Sequence, residues 1–168
     1  AMYNNPEWMT DAPEFEDTNF MLSALNAYGV LEDDSTKRWA KAFLIAPAIR
    51  VIFELSLLAL DKSCDEIHLP NIGVSAKHKE NVSYVHRLFK NNKFQDYLQA
   101  GRIVFDTYQE AHSVIENTDF GESVEYSSLG SHKSMKDYDI DTIMRLSNDA
   151  VLFAMLCQQY VQFKKQGV

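Results

Sequence analysis

Residues 150–157 read Ala150-Val151-Leu152-Phe153-Ala154-Met155-Leu156-Cys157, an unbroken run of apolar side chains. Wound into a helix, such a run presents apolar surface on every face, and it is stable only where neighbouring elements surround it. Asp137 or Asp139 upstream can open this helix, and the pattern carries it to about Lys165. The reading that follows is an all-α bundle of four or five helices, with the C-terminal helix at its centre.

Working outward, the other segments fit that architecture. Asp17 or Thr18 can cap a short helix in which Phe20, Met21, Ala24, Leu25 and Tyr28 form one stripe, and Gly29 supplies a stop. Ser35 or Thr36 opens a longer helix to about Asp61. Its stretch from Trp39 to Leu60 is apolar enough to raise the question of a membrane span. Lys41, Arg50 and Glu54 lie inside it, however, and central charges are costly in lipid. A buried core helix kinked at Pro47 is the better reading. Residues 62–80 read as a polar connection, Asn81 to about Phe89 as a short helix, and Lys93 to Asn117 as one longer helix. In the latter, Phe94, Tyr97, Leu98, Gly101, Phe105, Tyr108, His112 and Ile115 share a face. Residues 118–136, rich in Ser and Gly, read as a second loop.

Composition bounds the rest. Of 168 residues, 46% are hydrophobic and 24% charged, as in an ordinary globular domain, and six Gly with four Pro leave little turn chemistry for an all-β fold. The net charge of −8 is uneven: Glu7, Asp11, Glu14, Glu16, Asp17, Glu32, Asp33 and Asp34 precede the first Lys or Arg, and residues 37–168 are neutral. A neutral body lacks the basic field of a strong duplex binder, so charge does not point to RNA as a partner. Residues 1–16 read as an acidic extended arm with Trp8 and Phe15 as anchors for a partner protein or for the domain itself, and residues 17–168 as the single helical domain. Cys64 and Cys157 form no CxxC or disulfide framework, and the acidic N-terminus has no continuous apolar stretch, so a reducing cytoplasm is expected.

Walker, GxGxxG, GxSxG, HExxH and paired CxxC motifs are all missing. Cys64-Asp65-Glu66-Ile67-His68 has ligand chemistry but no second cluster to complete a tetrahedron, so no metal site or cofactor is expected. Two constellations remain. Arg50 and Glu54 stand four residues apart in the most apolar helix, where they either fix register as an ion pair or present Arg50 to an anion. Ser131, His132, Lys133 and Ser134 precede the last helix, where a helix N-terminus favours anions.

Arg50-Val51-Ile52-Phe53-Glu54 in the second helix, with Ser128-Leu129-Gly130-Ser131-His132 before the last, resembles the HEPN superfamily over roughly residues 36–165. That family comprises small helical bundles of bacterial defence, toxin and RNA-processing systems. Its ribonucleases place an Arg ahead of a His with four to six residues between them. Ahead of His132 those positions hold Ser127, Tyr126 and Glu125, none of them basic. The resemblance therefore implies a non-catalytic binding or regulatory protein of bacterial or mobile-element origin, working as a homodimer, with no catalytic residues. Two alternatives stand beside it. One is a ribonuclease or nucleotide-binding enzyme in which Arg50 serves beside His132; the other is an acidic immunity protein, antitoxin or phage inhibitor that uses the arm.

Overall fold

The computed structural model describes residues 12–28, 38–72, 74, 77–100, 110–127 and 140–167. Among these residues there is no strand. A 3-10 turn at Pro13–Phe15 leads into α1 (Glu16–Tyr28), followed by α2 (Arg38–Ser63), α3 (His78–Phe89), α4 (Asn92–Ala100), α5 (Glu110–Asn117), α6 (Phe120–Tyr126) and α7 (Ile140–Lys165). The chain is an all-α bundle. No helix among the described residues is long and apolar enough to cross a membrane.

The run that decided the fold is buried throughout: every residue of α7 from Ala150 to Val161 is shielded. α2 is its main neighbour. Phe53 meets Phe153 with ring centroids 5.1 Å apart, and further along both segments Lys164 pairs with Glu66 at 3.1 Å, so α2 and α7 run in the same direction. Phe153 also meets Phe120 of α6 at 5.5 Å and Phe89 of α3 at 5.8 Å. Phe89 in turn meets Phe94 of α4 at 5.8 Å. Tilted and edge-on rings at these separations add to the area they bury. One aromatic cluster thus fastens five helices together.

Three boundaries differ from the sequence reading, each for a physical reason. α3 begins at His78 rather than Asn81. Asn81 instead turns inward, donating from Nδ2 to the Pro70 carbonyl at 3.2 Å. Residues 93–117 are not one helix. His112 Nδ1 lies 2.6 Å from Gln95 Oε1, whereas a straight helix would separate residues 17 apart by about 25 Å. α4 and α5 therefore lie side by side, and His112 is exposed rather than on the apolar face. Residues 120–126, expected as loop, form α6. Asp119 caps it, its carboxylate accepting from the Glu122 N–H at 3.0 Å, the Asp-x-x-Glu arrangement of a capping box.

α6 runs antiparallel to α3. Lys79 pairs with Glu125 at 2.6 Å, and His86 stands edge-on to Phe120 at 4.9 Å. Gly121 faces Ser83, where an added Cβ would lie 2.5 Å from the Ser83 Oγ. A residue with a side chain does not fit this crossing unless Ser83 gives way.

Candidate functional site

α2 projects Arg50 and Glu54 toward the N-terminal end of α3. The Arg50 Nε donates to Glu54 Oε1 at 3.2 Å, with the two side chains 22% and 37% exposed. The pair forms as the i,i+4 spacing predicts. It is not desolvated as a unit, because the carboxylate meets solvent, and such pairs contribute little to stability, ~0–1 kcal/mol.

A third group completes the cluster: His78, which reads from sequence as a surface or half-buried histidine, is buried at 4% exposure. The His78 Nε2 lies 3.6 Å from the same Glu54 Oε1, while its side chain is 5% exposed. That separation exceeds hydrogen-bond distance, and neither ring nitrogen of His78 has a hydrogen-bond partner among the described residues. Burial holds the imidazole below its ordinary pKa; Glu54 opposes this and Arg50 reinforces it. A buried, neutral imidazole therefore sits beside a carboxylate shared with a guanidinium.

The remaining histidines are placed differently. His86 Nε2 is 2.6 Å from the Ile115 carbonyl, so it donates and carries the proton on that nitrogen. Burial lowers its pKa, partly offset by this bond. Half-buried Asp149 accepts from the Ser123 hydroxyl at 2.6 Å, and burial raises its carboxyl pKa despite that bond and Arg145. Cys64 and Cys157 are both free and buried, with burial pushing both thiols up, which suppresses thiolate chemistry.

The other sequence-derived candidates divide cleanly. Ser131, His132, Lys133 and Ser134, and with them the Arg50–His132 pairing, lie outside the described residues, as does Trp8. Phe15 is described and has 0% exposure. It is a core residue of the domain and not a partner anchor, because the turn at Pro13–Phe15 directs its ring inward ahead of α1. In the Cys64–His68 segment, Cys64 and Ile67 face inward while Asp65, Glu66 and His68 face out. The described residues contain no group of three or more potential metal ligands.

No protein-family model, curated protein or solved structure matches this chain.

Proposed function

We propose that this chain is a non-catalytic, HEPN-like binding or regulatory protein of bacterial or mobile-element background that works as a homodimer. The observation that carries the reading is the outer face of α2. The apolar stretches of the two long helices are covered unequally. α7 is enclosed from Ala150 to Val161, yet α2 leaves Val51 38% and Leu58 37% exposed, with Pro47 also exposed and Leu55 half-buried. These four recur at helical spacing as one stripe, and an apolar stripe left in water is a surface for association.

A second copy suits this stripe. It is uncharged from Val51 to Leu58 along its centre, so it is self-complementary, as a two-fold interface requires. Glu54 and Lys62, of opposite sign, flank it, and an antiparallel crossing centred on Leu58 sets Lys62 of each copy against Glu54 of the other. Burial of Cys64 and Cys157 as free thiols supports a reducing, cytoplasmic setting.

Sedimentation velocity across a range of concentrations tests the reading. The wild type should sediment as a dimer, and Leu58→Glu should dissociate it while leaving the helical circular dichroism intact. A wild type that stays monomeric at every concentration would reject the homodimer.

A second reading has its own observation. Phe20 on α1 is 71% exposed, and Glu16 and Asp17, one turn earlier, are exposed too. An aromatic ring beside paired acids fits the basic site of another protein and favours an inhibitor or immunity protein. On that reading Phe20→Ser abolishes partner binding, and Leu58→Glu leaves it unchanged.

A further inference from the structure

The N-terminal end of α3 meets α2 through a buried side chain that has no hydrogen bond to any described residue. His78 is the first residue of α3 and is 4% exposed, yet neither ring nitrogen is bonded among the described residues. We infer that His78 makes the docking of α3 on α2 acid-labile: the neutral imidazole seats the helix start, and proton uptake by it releases the first turns of α3.

Four features bear on the direction. A cation placed in this burial loses its water and gains no hydrogen bond from the described residues in the seated geometry. At the first position of a helix, an imidazolium also faces the positive end of the dipole. From α2, Arg50 adds a like charge. Glu54, also on α2, is the one described group facing His78 that favours the charged ring. Its carboxylate is partly solvated and already engaged by Arg50 at 3.2 Å, against 3.6 Å to His78. The charges nearby on α3 neutralise one another locally: Lys77 pairs with Glu80 at 3.2 Å, and Lys79 pairs with Glu125 of α6 at 2.6 Å. Burial, the helix dipole and Arg50 together outweigh one shared carboxylate.

The element being released is suited to this. α3 has no side-chain cap at its N-terminus, so nothing at Lys77 substitutes for His78 if the ring leaves. The second half of α3 is anchored independently, through Val85 and Phe89 in the core. Opening can therefore stay local to the start of the helix while the aromatic cluster persists.

Two measurements test the inference on the full chain. The first is an NMR titration of the His78 ring in the wild type, which should give a midpoint below the ordinary imidazole value of 6.5. A midpoint at or above that value would mean that Glu54 prevails, and would overturn the inference. The second is amide hydrogen exchange over residues 78–82, corrected for intrinsic pH dependence, in the wild type and in His78→Gln. In the wild type the opening constant should rise on acidification by up to roughly tenfold per pH unit within the titration window, and in His78→Gln it should not. Equal acid response of residues 78–82 in both proteins would also overturn it. If His78→Gln does not fold, the wild-type titration decides the matter alone, because the later turns of α3 carry His86, an imidazole with an acid response of its own.

Discussion

At the scale of single residues, the apolar run in α7 shows how far local sequence determines burial. Leu152 is 1% exposed, and Leu152→Ala is expected to cost ~2–5 kcal/mol in chemical denaturation; a loss below about 0.5 kcal/mol would contradict its place at the centre. Phe15 teaches the converse. Two prolines, several acids and the lack of any period make residues 1–16 read as an arm, and nothing local decides whether its aromatic rings anchor to the domain itself or to a partner. With Phe15 wholly buried, Phe15→Ala is expected to cost ~3–5 kcal/mol. Truncation through residue 16 should therefore lower the melting midpoint sharply. An unchanged midpoint would place the ring outside the folded unit. The Arg50–Glu54 pair was legible because i,i+4 neighbours share a helix face whatever the tertiary fold does. His78 was not, because its approach to Glu54 depends on how the connection after α2 returns the chain, and no local pattern encodes that path.

Among the elements, what the sequence revealed was helical character, and what it concealed was where one helix yields to another. The stripe through Phe94 and Ile115 has correct spacing in both α4 and α5, and periodicity alone cannot register that the two halves lie beside each other. α6 was hidden for a different reason. Gly121 and the neighbouring serines read as turn chemistry, and they outweighed the Asp119-x-x-Glu122 box that starts the helix. The glycine is there for packing. It lets α6 approach α3 closely enough that a Cβ at this position would meet Ser83 Oγ at 2.5 Å. Gly121→Val should thus destabilise the protein by ~1–3 kcal/mol through overpacking. Adding Ser83→Ala should recover part of that loss, since it removes the obstructing oxygen. A double-mutant cycle with no coupling between the two positions would show that the crossing is not what restricts residue 121.

For the whole molecule, pH dependence integrates the buried titratable groups, and the signs differ among them. His78 and His86 both have folded pKa values held below the ordinary 6.5 by burial. The unfolded chain therefore binds more protons than the folded one as pH falls through 6.5, and stability declines with acidification in that window. Asp149 acts oppositely. Burial raises its folded pKa above 3.8, so acidification through the interval above 3.8 favours the folded state and offsets part of the loss. The thermal midpoint should accordingly fall between pH 7.5 and 5.5, with proton uptake by Asp149 offsetting part of the decline. Substitution separates the contributions. His86→Gln should flatten the decline between pH 7.5 and 5.5 because it removes one of the two imidazoles, even though it lowers stability at neutral pH by disturbing the bond to the Ile115 carbonyl. Asp149→Asn should remove the opposing contribution and so steepen the decline on acidification. A wild-type midpoint that is flat from pH 7.5 to 5.5 would contradict the lowering of the two imidazole pKa values by burial.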